Sequence, residues 1–244
     1  MKTAAIITAA GGSRRMGAGK KKEYRLLPVP RGAAEEGLSV LGAAISAFRA
    51  AGNISPIIVV HPLNAEEGEA AAREAAGRAL LNMAQGRILF TPGGESRRQS
   101  VYNALKLLRS FPPDYVLIHD GARPWVSQDL INRVSSAMFE HGAAIPVLPL
   151  TETPKLVLNG FVHRHLKRAD AAAAQTPQGF GFSAILAAHE KAAERSFREG
   201  VEYTDDAEIY GEFAGRVAVV DGDFLNRKIT FPADLQDKAV EEKK

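Results

Sequence analysis

The sequence predicts an α/β protein built on a mostly parallel sheet flanked by helices, and three observations carry that prediction. Apolar runs of strand length recur at Thr3–Thr8, Ser55–Val60, Arg87–Phe90, Tyr115–His119, Ala143–Leu148 and Arg216–Val220. Unbroken runs of this kind suit strands buried on both faces. The segments between the first five are mostly long and helix-patterned, and such alternation implies βαβ units in a Rossmann-like arrangement. At 244 residues the chain suits one sizeable α/β domain and is short for two, so 1–244 reads as a single domain.

The first strand empties into Ala9-Ala10-Gly11-Gly12-Ser13 and then into Arg14, Arg15, Lys20, Lys21 and Lys22. Small residues let a polyanion lie against backbone N–H groups, and the cations supply charge that a neutral ligand would not need. Two familiar phosphate loops fail here. Gly12 and Gly17 have P-loop spacing, but Ala18 stands where the lysine belongs. The dinucleotide pattern Gly-x-Gly-x-x-Gly fits in no register.

Further along, Pro28–Gly37 is a polar loop to which the sequence assigns no function. Val40–Arg49 has apolar residues at helical spacing, and Ala65–Ala84 reads as an outer helix rich in alanine and glutamate. Ser96–Arg109 is a third helix, with Ser96 as N-cap and Gln99 completing a capping box. Gly93-Gly94-Glu95 therefore joins a strand to a helix N-terminus, where free N–H groups and the dipole favour anionic or polar ligand groups. His119-Asp120-Gly121-Ala122-Arg123-Pro124 follows the fourth strand. Ligands of open α/β sheets bind beyond the carboxyl ends of strands, which suits Asp120 and Arg123 to a substrate or metal; a buried Asp–Arg pair closing the loop is the structural alternative.

Leu150–Arg168 carries a proline and Asn159-Gly160 between alternating residues, the marks of a β-hairpin whose apolar side needs a partner. Thr204-Asp205-Asp206-Ala207 opens a helix with good capping residues. The histidines have no metal-site spacing, and His163 and His165 belong to the hairpin surface.

Composition removes several classes. Hydrophobic content of 45% with 24% charged residues excludes disordered and collagen-like chains. The net charge of +3 is a thin excess whose clusters adjoin glycine loops, so no nucleic-acid partner is expected. The lack of cysteine excludes disulfides, thiolate zinc and a thiol nucleophile. Ala4–Ala10 is at the lower limit for a signal segment, and no stretch approaches the roughly 18 to 20 apolar residues of a membrane span. A cytoplasmic protein without a membrane partner is the expectation.

Ala9-Ala10-Gly11, Arg14-Arg15-Met16-Gly17 and Lys22-Glu23-Tyr24 resemble the Ala-Ala-Gly-x-Gly-x-Arg-Met…Pro-Lys-Gln-Tyr signature of the sugar-phosphate nucleotidyltransferases. More narrowly they resemble the methylerythritol-phosphate cytidylyltransferases. Ser13, Lys21 and Glu23 replace that family's second glycine, proline and glutamine. The likeness runs from Ala5 to Leu235. It implies a nucleotide loop at Ala9, Ala10, Gly11 and Gly12, a pyrimidine reader at Gly94, Glu95 and Ser100, and Ala122 near the nucleotide. Asp120 and Arg123 fall near the sugar phosphate, with Thr176 and Thr204 in the same substrate set.

Thr151-Glu152-Thr153-Pro154-Lys155 resembles the family's Asp-Thr-x-Lys, and Arg168 stands eight residues before Thr176 as its substrate arginine does. The family's hairpin is a dimerisation arm, at about 150–168 here, which implies a homodimer with Thr153 and Arg168 serving the neighbour's site. Asn226-Arg227-Lys228-Ile229-Thr230-x-Pro232-x-Asp234-Leu235 matches Asn-x-Lys-x-Thr-x-Pro-x-Asp-Leu and points to Lys228.

The implied reaction is transfer of CMP from CTP to 2-C-methyl-D-erythritol 4-phosphate with release of pyrophosphate, a step of non-mevalonate isoprenoid precursor synthesis. Mg²⁺ is implied, held mainly through the CTP phosphates, with its protein ligands unassigned. Two polyanions must meet, so positioning and charge stabilisation carry catalysis. Arg15 and Lys22 are expected to stabilise the α-phosphate and departing pyrophosphate, while Arg168 of the partner chain and Lys228 hold the acceptor phosphate in line. A cytidylyltransferase for another polyol phosphate, such as ribitol 5-phosphate, would share the nucleotide loops; Thr153 with Lys155 favours methylerythritol phosphate. A non-catalytic nucleotide or RNA binder predicts lost cations where Arg15 and Lys22 stand.

Overall fold

In the computed structural model, which describes residues 1–12, 20–28, 37–80 and 87–235, all six expected strands form. They are β1 (Thr3–Thr8), β2 (Ile54–His61), β3 (Ile88–Pro92), β4 (Tyr115–Asp120), β5 (Ala143–Pro149) and, last in the chain, β10 (Ala218–Asp221). Between the last two come β6 (Lys155–Leu158), β7 (Phe161–His165), β8 (Ala172–Ala174) and β9 (Gln178–Gly181). The main sheet runs β10-β5-β9-β4-β1-β2-β3, with β8 also on β5. Parallel pairing holds β3, β2, β1 and β4 on one side and β5 with β10 on the other. β9 runs antiparallel between the two groups. The sheet is therefore mixed and mostly parallel, as expected, with an antiparallel insertion that the apolar pattern did not announce.

Alternation along β1 shows how the sheet is buried. Ala5, Ile7 and Ala9 face a cluster with Leu41, Ile45, Phe48, Leu130, Val134 and Met138. Ala4 and Ile6 face Val101, Leu105, Leu108, Phe180 and Ile185. Successive strand residues point to opposite faces, so both faces need a helical layer. One layer comes from α1 (Val40–Ala50), α2 (Ala65–Ala76) and α4 (Gln128–His141), the other from α3 (Arg97–Leu108) and α5 (Phe182–Glu199). A short α6 (Asp206–Phe213) packs on α5.

The expected helix Ala65–Ala84 stops at Ala76, where Gly77 (φ 43) caps it and a single 3₁₀ turn follows to Leu80. The remainder of that stretch, 81–86, lies outside the described residues, as do Arg14, Arg15 and most of the Pro28–Gly37 loop. Among the described residues no helix is long and apolar enough to cross a membrane.

The hairpin forms where expected. β6 and β7 pair antiparallel and with no other strand, joined by Asn159 and Gly160 at φ 51 and 83. Two successive positive φ angles make the primed turn that matches strand twist, which asparagine and glycine tolerate. Leu156, Val157, Leu158, Phe161 and Val162 are all exposed within the single chain.

Candidate active site

A cleft of about 630 Å³ opens where β1 and β4 end side by side. In-register pairing puts Thr8 next to Asp120. Ten residues expected from the sequence line this cleft: Ala10, Gly11, Gly12, Lys22, Gly94, Glu95, Ser100, Asp120, Ala122 and Lys228. Thr8, Glu23, Ser96, Arg97 and Thr230 join them. Ala9 is fully buried beneath the loop it begins.

Backbone hydrogen bonds hold the two glycine loops of the cleft. The Ala9 N–H donates to the Val60 carbonyl at 2.8 Å, and the Gly93 N–H to the His61 carbonyl at 2.8 Å. A Cβ on Gly93 would lie 2.6 Å from the Ala10 Cβ and 2.9 Å from the Ser100 Oγ. The two glycine loops thus touch, and only a residue without a side chain permits the approach. Ser96 caps α3 by accepting from the Gln99 N–H at 3.2 Å. Gln99 reaches one residue further back than a capping box requires, its Oε1 accepting from the Glu95 N–H at 3.0 Å. The Ser100 hydroxyl accepts from the Gly94 N–H at 3.0 Å, so helix α3 shapes the loop ahead of it.

Cations gather around Asp120. Lys228 Nζ lies 2.7 Å from its Oδ2, Arg123 Nε 3.8 Å from the same oxygen, and Arg97 Nε 3.7 Å from Oδ1. Burial pushes the carboxyl up, but Lys228, Arg97 and Arg123 together outweigh it and hold Asp120 well below the usual carboxylate range. Asp120 is therefore ionised throughout the neutral range. Arg123 also donates through Nη1 to the Asn226 carbonyl at 2.7 Å. The pair closes the loop, and of the two only Asp120 lines the cleft.

Thr176 lies under the floor. Its Oγ1 accepts from the Asp120 N–H at 3.1 Å and is 3.1 Å from His119 Nδ1, while His119 Nε2 is 3.1 Å from the Arg123 carbonyl. A carbonyl only accepts, so Nε2 carries the proton and Nδ1 accepts from the Thr176 hydroxyl. Burial pushes this fully buried imidazole down to about 4. The unfolded chain takes up that proton near 6.5 and the folded chain only near 4, so acid favours unfolding across that window. Stability is expected to be full above pH 6.5 and to lose on the order of 3 kcal/mol as pH falls to about 4. Urea titrations across that range should show a flatter pH dependence in His119→Gln; equal slopes would refute the assignment.

The segment 226–230 closes the site from far along the chain. The Ile229 N–H donates to the Ala122 carbonyl at 2.8 Å, and Lys22 Nζ donates to the Ile229 carbonyl at 2.9 Å. Lys22 is only 9% exposed, so its ammonium is held at the cleft wall by that carbonyl and by Glu23, 4.0 Å away. Asn226 anchors the segment by donating to the Thr176 carbonyl at 2.8 Å.

The remaining expected residues lie elsewhere. Thr153 and Arg168 are exposed beside the hairpin, with Arg168 Nη1 donating to the Thr151 carbonyl at 2.9 Å. Thr204 is exposed ahead of α6 and does not line the cleft. Arg15 lies outside the described residues. Of the lining residues to which sequence reasoning assigned no site role, Arg97 is the cation beside Asp120. Its signal was a cation in the first turn of α3, against the positive end of the helix dipole, which calls for nearby carboxylates. Among the described residues no three His, Cys, Asp or Glu side chains cluster as a metal site.

Comparison with known proteins identifies the family. A family model described as IspD: 2-C-methyl-D-erythritol 4-phosphate cytidylyltransferase matches residues 3–240. The chain is 39% identical over 236 residues to a bifunctional enzyme IspD/IspF of Rhodospirillum rubrum, covering 96% of this chain and 56% of that protein. It is 35% identical over 242 residues to the 2-C-methyl-D-erythritol 4-phosphate cytidylyltransferase of Bacillus cytotoxicus, covering 94% and 93% respectively. The crystal structure of the Francisella tularensis enzyme of that name superposes with a TM-score of 0.74 at 28% identity, covering 97% of each chain. The chain thus spans about half the length of the bifunctional relatives and nearly all of the single-activity ones.

Proposed function

Because this chain belongs to the 2-C-methyl-D-erythritol 4-phosphate cytidylyltransferase family, we propose that it transfers CMP from CTP to 2-C-methyl-D-erythritol 4-phosphate. An acceptor phosphate oxygen forms a bond to the α-phosphorus, the bond to the bridging oxygen breaks, and pyrophosphate leaves with that electron pair. The single observation that carries the reading is the buried Lys22 ammonium lining one glycine-rich cleft together with Lys228 and Asp120. A phosphate dianion is already a competent nucleophile, so the protein's task is to offset charge and hold the two reactants in line. Lys22, which follows the glycine loop in the chain and lines the cleft, is suited to stabilising the α-phosphate and leaving group. Lys228, tethered by Asp120 at 2.7 Å, is suited to the acceptor phosphate.

Asp120 is engaged by three cations, and no protein cage for a metal exists among the described residues. A Mg²⁺ brought in on the triphosphate would supply charge neutralisation beside the Lys22 and Lys228 ammonium groups. The exposed apolar hairpin and the exposed Arg168 beside it support a homodimer in which the arm crosses to the partner's cleft.

Pyrophosphate release from CTP tests the reaction. Methylerythritol phosphate is expected to support turnover at least tenfold faster than ribitol 5-phosphate, by about the worth of one or two acceptor contacts. Faster turnover with ribitol 5-phosphate would transfer the assignment to the other polyol, and none with either acceptor would favour a binding protein.

A further inference from the structure

Behind the cleft lies a polar pair that the reaction does not directly use. His189 on α5 and Asp206 at the start of α6 both have fully buried side chains, with Nε2 3.1 Å from Oδ1. The other Asp206 oxygen is 2.7 Å from Arg97 Nη2, and Arg97 Nε reaches 3.7 Å from Asp120 in the opposite direction. Tyr102 of α3 stacks on the imidazole with centroids 6.3 Å apart and planes at 12°. Three helices therefore converge on this pair, yet neither His189 nor Asp206 lines the cleft.

A buried carboxylate persists only when paired, and a cation in the first turn of a helix faces the wrong end of its dipole. Arg97 and Asp206 relieve each other's cost. We propose that the buried His189–Asp206 pair is a positioning device, fixing the guanidinium of Arg97 so that Asp120, and through it Lys228, keeps its place for the acceptor phosphate. This rests on the cytidylyltransferase reading and names residues beyond it. With the tether cut, Arg97 swings freely and competes with Lys228 for Asp120. The acceptor phosphate then loses a fixed cation.

Asp206→Asn keeps the shape and removes the charge. With CTP saturating, it is expected to lower kcat/KM for the acceptor about tenfold, the scale of one hydrogen bond to a charged group. In an Arg97→Gln background the same change should add nothing, because both act through one guanidinium. Independent, multiplying losses would overturn the proposal, as would an unchanged acceptor KM in folded Asp206→Asn. A second readout needs no turnover: the Arg97 Nε–H resonance, identified by its loss in Arg97→Gln, should be sharp in the wild type and broadened in Asp206→Asn. An unaltered resonance would also overturn it. If Asp206→Asn does not fold, His189→Phe deletes the donor, keeps a ring against Tyr102 and is read by the same two measurements. Absence of pyrophosphate from the wild type with every polyol phosphate would defeat the functional reading alone, leaving the resonance to decide the positioning.

Discussion

Lys22→Ala is expected to lower kcat/KM for cytidylyl transfer about 100- to 1,000-fold, the usual loss when one donor to developing phosphate charge is removed. The argument is geometric. The ammonium is nearly buried, aimed at the cleft and held by the Ile229 carbonyl, so it is preorganised and not recruited from solvent. Truncation also leaves that carbonyl without its charged donor, at about 1 to 3 kcal/mol of stability. Circular dichroism and thermal melting must therefore accompany the kinetics. A folded Lys22→Ala protein with wild-type turnover would remove Lys22 from the mechanism.

Arg168→Ala is the second large effect, with a loss of about 100-fold expected if its guanidinium holds the acceptor phosphate. Within one chain Arg168 is exposed and bonded to the Thr151 carbonyl, not to the cleft. It can act only if the arm of one copy reaches the cleft of another. Mixing two inactive proteins decides this. Lys22→Ala and Arg168→Ala, unfolded and refolded together, should regain about a quarter of wild-type activity, because half the dimers are mixed and each mixed dimer has one intact site. No recovery from a mixture shown to contain mixed dimers would confine Arg168 to its own chain or remove it from the reaction.

What the sequence made legible follows from how each feature is built. The inner strands β1, β2 and β4 were readable because burial on both faces leaves an unbroken apolar run, as in Ile57–Val60, where every residue is buried. β8 and β9 were not readable for the opposite reason. Ala172–Ala174 is an exposed alanine run, and Gln178–Gly181 needs Gly179 because a Cβ there would lie 2.8 Å from the Met138 sulfur of α4. Close packing replaced apolar side chains, which erases the periodic signal. Site residues such as Gly94, Ser100 and Asp120 were found because their order in the chain resembles a known family, and the cleft gathers them. Arg97 was passed over because its carboxylate partners, Asp120 and Asp206, are distant in the chain. No local spacing encodes a contact that three separate elements create.

The bond from the Lys22 ammonium to the Ile229 carbonyl joins the 3₁₀ turn Lys22–Tyr24 to one of the latest segments described. During translation, a nascent chain could pair β1 to β4 and pack their helices while still lacking the wall that receives Lys22. The cleft wall is therefore complete only after residue 230 has cleared the ribosome, so a polypeptide interrupted after β4 would hold four paired strands around an unfinished opening.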